Sequence, residues 1–105
     1  MFEKGIHLSA EAFRGLPDST QRLDVRERWE YGLAKLPGAI LIPLGELADR
    51  VRELDPARPV AAYCHHGVRS LHALRLLHGS GFTELAHLSG GIEAYSRMDP
   101  SVPRY

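Results

Sequence analysis

One cysteine stands in the sequence, Cys64, and its neighbours decide what it can do. It belongs to Tyr63-Cys64-His65-His66-Gly67-Val68-Arg69-Ser70, where the unbroken apolar run 60–63 passes through Gly67 into a helical pattern. Gly67 offers a residue free of Cβ constraints for a tight turn. A loop curling into a helix N-terminus aims several backbone N–H groups inward, where they form a nest for an anion. A thiol set there is favoured as thiolate, a nucleophile near neutral pH. The same cradle suits a persulfide, whose outer sulfur is also an anion. Arg69 adds a fixed positive charge to grip an anionic donor or leaving group. The competing reading is a buried structural cysteine, a common fate of free cysteine. Gly67, Arg69 and a helix start in register favour chemistry.

The other candidates are weaker. His65 and His66 have the side chains for acid/base or metal work. Loop side chains point outward while amides point inward, so both histidines are expected on the rim. No companion Cys, Asp or Glu stands at ligand spacing, and no metal is expected. Asp24 and Arg26 close a strand pattern on the sheet edge where Cys64 should lie. Asp24 reads as half of a structural ion pair. Arg26 stays open between binding a donor anion and pairing with Asp24, Glu27 or Glu30. Trp29 and Tyr31 read as packing rather than as a pocket wall. His7, His72, His78 and His87 share no spacing that suggests a ligand set. No Ser-His-Asp order, Gly-rich phosphate loop or HExxH is visible.

The elements that must position these residues alternate along the chain. A weak strand signal at 5–7 precedes Ser9, which reads as an N-cap, with Glu11 in the first turn of a short helix reaching about Gly15. Asp18-Ser19-Thr20 is a turn cluster, and 21–25 is a strand weakened by Arg22 and Asp24. One or two helical turns over 27–31 end near Gly32. Pro37-Gly38 turns into a short apolar strand at 39–42. From Leu44 onward Leu47, Val51 and Leu54 recur at helical spacing, while Glu46, Asp49, Arg50 and Arg52 face outward and Asp55-Pro56 closes the helix. The strand 60–63 leads to Cys64, and a helix over 68–78 carries the Leu71, Leu74 and Leu77 stripe. Gly79-Ser80-Gly81 stops it. Residues 85–88 give another strand, Ser89-Gly90-Gly91 a turn, 92–98 a last helix, and the Pro100 and Pro103 tail is irregular. Apolar strands without alternation are buried on both faces, so this pattern implies an α/β fold with a parallel sheet between helices. Ligands bind at the carboxyl ends of such strands, where Cys64 stands.

Composition narrows the functions. A chain of 105 residues with 44% apolar and 25% charged content suits one soluble domain, 1–105. Thirteen Lys plus Arg balance 13 Asp plus Glu, so no basic field recruits nucleic acid. No stretch is long enough to span a bilayer, and the N-terminal residues lack an export pattern. A reducing, cytoplasmic setting is expected, in which the lone thiol stays free.

On four segments together the sequence resembles the rhodanese-like sulfurtransferase domain. Leu23-Asp24-Val25-Arg26-Glu27-Arg28-Trp29-Glu30-Tyr31 looks like the family's motif after its second strand. Leu36-Pro37-Gly38-Ala39 and the residues through Leu44 look like its third-strand element. The Cys64 loop is similar to its active loop, and 81–95 to its C-terminal element. Lys35 stands where the family often has His, and Tyr95 where it often has Trp. The resemblance implies five mostly parallel strands flanked by helices on both faces, with no cofactor. It also implies a two-step cycle. Cys64 takes a sulfane sulfur from thiosulfate or a persulfide and passes it to cyanide or a thiol, with His65, His66, Gly67, Val68 and Arg69 as the binding loop. Related phosphatases carry one more residue between Cys and Arg, so the shorter loop here suits one sulfur better than a phosphoryl group. Two alternatives remain: a persulfide carrier between proteins, and a binding module that keeps the fold without the chemistry.

Overall fold

A computed structural model of the protein describes residues 6–105. Five strands form one sheet in the order β1 (His7–Leu8), β5 (Leu85–Leu88), β4 (Val60–Tyr63), β2 (Gln21–Asp24), β3 (Ile40–Leu41). Every pairing between neighbours is parallel. The helices α1 (Ala10–Arg14), α2 (Arg28–Leu33), α3 (Leu44–Arg50) and α4 (Val68–Gly79) lie in the crossovers that parallel strands require, and α5 (Gly91–Met98) follows the last strand. The chain is therefore an α/β fold with a parallel sheet between helices.

The central strand β4 shows why its residues are apolar without alternation. Successive side chains point to opposite faces of a strand. Val60, Ala62 and Cys64 enter one core with Leu47, Ala73, Leu74 and Leu77 from α3 and α4. Ala61 and Tyr63 enter the other with Phe13, Ile92 and Tyr95 from α1 and α5. Both cores are nearly inaccessible to solvent.

Several boundaries differ from the sequence reading. Gly5 lies outside the described residues, and the first strand covers His7–Leu8. The second helix passes through Gly32 to Leu33, secured at its start by the Glu27 N–H donating to Glu30 Oε1 at 3.0 Å. The third strand is two residues long, an edge strand closed in by Pro37-Gly38 and Pro43. The helix after Pro43 ends at Arg50 and tightens into a 3-10 turn over Val51–Glu53. The tail has no regular structure, yet it turns back so that Tyr105 reaches the Cys64 loop. Among the described residues no helix is long and apolar enough to cross a membrane.

Candidate active site

Cys64 sits at the carboxyl end of β4, in the middle of the sheet, 1% exposed. The chain then turns through Gly67, at φ 106°, into the N-terminus of α4. That turn brings two backbone donors onto the sulfur: Gly67 N–H at 3.1 Å and Ser70 N–H at 3.3 Å from Sγ. The Ser70 hydroxyl lies 3.6 Å from the same sulfur. Two amide donors on one buried sulfur at a helix N-terminus make a site for negative charge.

Two glycines make the loop possible. A Cβ on Gly67 would run into the Ser89 carbonyl, and the left-handed backbone there already excludes most side chains. Gly91, at φ 68°, begins α5, and a Cβ on it would strike the His65 carbonyl. This close approach lets α5 hold the loop from outside: Ile92 N–H donates to Cys64 O at 2.9 Å and Glu93 N–H to His65 O at 3.2 Å. One helix terminus thus faces the sulfur while another fastens the loop's own carbonyls.

The structure assigns Arg69 a partner that its sequence position does not reveal. Its guanidinium grips Glu30 with two bonds, 2.6 and 3.0 Å. The positive charge that the sequence sets beside the loop is thus already paired with Glu30, which is 3% exposed. Burial raises the Glu30 pKa, but the bonds from Arg69, the Glu27 amide and Tyr105 outweigh it and pull the value down to about 2. The Tyr105 hydroxyl donates to Glu30 at 2.9 Å and accepts from Arg26 at 2.7 Å.

Arg26, which the sequence left between two roles, is fully buried between the rings of Tyr63 and Tyr105. Its donors reach both Asp24 oxygens at 3.0 and 2.7 Å, the Ala34 carbonyl at 2.6 Å, the Glu30 carbonyl at 3.4 Å and Tyr105. None is left to meet an anion. Burial opposes the Arg26 charge, yet Asp24 and Tyr105 hold it protonated beyond its ordinary range. Arg26 and Asp24 thus tie the end of β2 to the segment that carries Glu30.

His65 and His66 stack on each other with ring centroids 4.1 Å apart, and Tyr105 stacks on the far side of His65 at 4.3 Å. Burial, with the neighbouring His66, lowers the His65 pKa. Both rings lie on the rim, as does Val68, whose side chain is 67% exposed. Trp29, at 65% exposure, packs edge-on against Tyr105. Surface concavities elsewhere, one along Tyr31 to Ala39 and one between Phe13, Arg22 and Tyr95, include no residue of the Cys64 loop.

Sequence reading missed Glu30, Ser70, His87 and Tyr105 as parts of this site. Ser70 Oγ lies 2.8 Å from His87 Nδ1, and His87 Nε2 lies 2.9 Å from His7 Nδ1. Register pairs His7 directly with His87 across β1 and β5. The separation of 80 residues hides that contact from the sequence. Among the described residues no three His, Cys, Asp or Glu side chains gather as a metal site.

Residues 9–98 match the family model described as rhodanese-like domain. The chain is 37% identical over 92 residues to the putative sulfur carrier protein YrkF of Bacillus subtilis, covering 85% of this chain and 50% of that protein. It is 30% identical over 78 residues to the thiosulfate sulfurtransferase GlpE of Coxiella burnetii, covering 74% and 73% of the two chains. Its fold is similar to the crystal structure of a rhodanese-related protein from Thermoplasma volcanium, with a TM-score of 0.82 at 27% identity, over 89% of this chain and 92% of that one. The chain spans about a third to a half of the length of some longer curated relatives.

Proposed function

The chain belongs to the rhodanese-like domain family, and from that membership we propose that it is a sulfurtransferase working through a persulfide on Cys64. The observation that carries the reading is the pair of amides, Gly67 N–H and Ser70 N–H, donating to Cys64 Sγ. They stabilise the attacking thiolate and, after attack, the charge of the persulfide.

The cycle has two displacements. Cys64 thiolate attacks the outer sulfur of the donor, the donor's S–S bond breaks, and the leaving group departs with the electron pair. For thiosulfate that group is sulfite. A thiol or cyanide then attacks the outer sulfur of Cys64–S–S⁻ and regenerates the thiolate. With a single cysteine in the sequence, no internal thiol can discharge the persulfide, so an external acceptor is required. A sulfur 1% exposed suits donors that present one terminal atom, as thiosulfate and persulfides do. The reading needs no cofactor and treats residues 1–105 as one domain of a reducing, cytoplasmic setting.

A second reading, a persulfide carrier loaded and emptied by proteins, has its own support. Arg69 is neutralised by Glu30, which weakens the case for a small anionic donor. Exposed Val68 and Trp29 beside the loop suit a protein surface better than an ion. Sulfite release separates the two. The enzyme reading expects one equivalent of sulfite per protein when thiosulfate is mixed with wild type, thiocyanate once cyanide is added, and neither with Cys64→Ser. Persulfide formation from a protein donor alone, with no sulfite from thiosulfate, establishes the carrier instead.

A further inference from the structure

Beside the Leu, Val, Ile, Ala and Phe side chains of the core between the sheet and α3 and α4, a polar file starts at Cys64 and reaches the surface on β1. Cys64 Sγ lies 3.6 Å from Ser70 Oγ, Ser70 Oγ 2.8 Å from His87 Nδ1, and His87 Nε2 2.9 Å from His7 Nδ1. Ser70 and His87 are 0% and 2% exposed, whereas His7 is exposed. Burying an imidazole and a hydroxyl in such a face costs stability that a Leu or Val would not, so the file needs a reason beyond packing.

Each member of the file both donates and accepts. With Cys64 as a thiol, Sγ–H points to Ser70 Oγ, the hydroxyl to His87 Nδ1, and His87 Nε2–H to His7 Nδ1. With Cys64 as a thiolate every hydrogen bond reverses: His7 Nδ1–H to His87 Nε2, His87 Nδ1–H to Ser70 Oγ, and the hydroxyl to the sulfur. Gly67 O, 3.2 Å from Ser70 Oγ, is the one competing acceptor for that hydroxyl. We propose that Ser70, His87 and His7 form a proton relay that carries the Cys64 proton to the surface and turns the Ser70 hydroxyl onto the thiolate it leaves behind. This rests on the reading of Cys64 as the nucleophile.

The step balances. The S–H bond of Cys64 breaks as an O–H bond forms on Ser70. The former Ser70 proton goes to His87 Nδ1, the His87 Nε2 proton goes to His7 Nδ1, and His7 gives its Nε2 proton to water. The thiolate keeps its electron pair for the donor sulfur. His87 gains one proton as it loses another and never holds a net charge. Its surroundings demand that: burial, with His7 beside it, lowers its pKa to about 4. Ser70 touches the reacting sulfur; His87 and His7 act through it and are positioning residues. Arg69 and its partner Glu30 face Cys64 from α4 and α2, and His7 faces His87 from β1.

The test follows the ring nitrogens of His87 by nitrogen-15 NMR on the full chain while Cys64 is titrated from thiol to thiolate, above the range in which His87 itself takes up a proton. The relay requires the hydrogen on Nε2 in the thiol state and on Nδ1 in the thiolate state, with no exchange of position in Ser70→Ala. The same tautomer in both states overturns it. The NMR measurement needs no sulfur transfer, so it decides the relay even if Cys64 fails to load. A second measurement uses His7→Ala, which removes an exposed ring and leaves the core intact. Its single-turnover loading by thiosulfate should slow about a hundredfold, the lower end of what a positioned proton acceptor supplies, and recover as imidazole is added to the buffer. Loading at the wild-type rate, or a slow rate that imidazole leaves unchanged, overturns the relay.

Discussion

At the scale of single residues, the sulfur of Cys64 and the charge of Arg69 turn out to be served by different partners. Backbone amides hold Sγ, so side-chain changes nearby leave that cradle standing. Glu30 holds Arg69, and Glu30 is buried. Arg69→Ala should therefore cost about 1–3 kcal/mol in chemical denaturation, because a buried carboxylate loses its forked partner. Loading of Cys64 should slow without being abolished. Glu30→Gln should cost less, since the charge left unpaired is then the partly exposed Arg69 guanidinium rather than a buried carboxylate. Cys64, Gly67 and Arg69 can be read from the sequence because they lie within one six-residue ring, where local spacing carries the geometry. Glu30 and Tyr105 cannot, since they lie 39 residues before Arg69 and 79 after Arg26. Only folding brings those charges together, and an arginine carries no mark of its partner.

At the scale of elements, the site is the meeting of two helix starts at the end of one strand. The α4 terminus serves the sulfur, and the α5 terminus serves the carbonyls of Cys64 and His65. Gly91→Ala would force a Cβ against the His65 carbonyl at a left-handed backbone. We expect it to destabilise the fold by more than about 1 kcal/mol and to lower the single-turnover loading rate, although Gly91 is far from Cys64 in sequence. Wild-type loading in Gly91→Ala would show that α5 does not hold the loop. The strands at 60–63 and 85–88 are legible to the residue, because buried strands are apolar runs cut off by Gly, Pro or polar turns. The third strand and the end of the helix after Pro43 are not, because edge pairing and a 3-10 turn leave the same apolar spacing as longer elements. The role of Gly91 is equally silent, since a turn glycine and a close-approach glycine read alike.

At the scale of the whole molecule, two buried groups set the response to acid. The folded His87 pKa, about 4 against an ordinary 6.5, is depressed. Its contribution is present above pH 6.5 and is lost as pH falls toward about 4, at most about 3 kcal/mol. Glu30, about 2 against 4.5, extends the loss from pH 4.5 toward about 2. Denaturation midpoints followed with pH should begin to fall near pH 6.5, and His87→Asn should flatten that first segment. A wild-type profile level down to pH 4.5 would contradict the burial of His87 as a neutral ring. The layered fold can be read from alternating apolar runs and helical stripes, but the order β1-β5-β4-β2-β3, which puts His7 beside His87, is a property of the assembled sheet. The central claim, that Cys64 carries sulfur, is tested most directly by the intact mass of the protein after incubation with thiosulfate and again after a thiol or cyanide is added. The account predicts a gain of one sulfur atom, absent in Cys64→Ser and reversed by the acceptor. An unchanged mass with thiosulfate and with protein persulfide donors alike, on a thiol that alkylating agents also leave untouched, would contradict it.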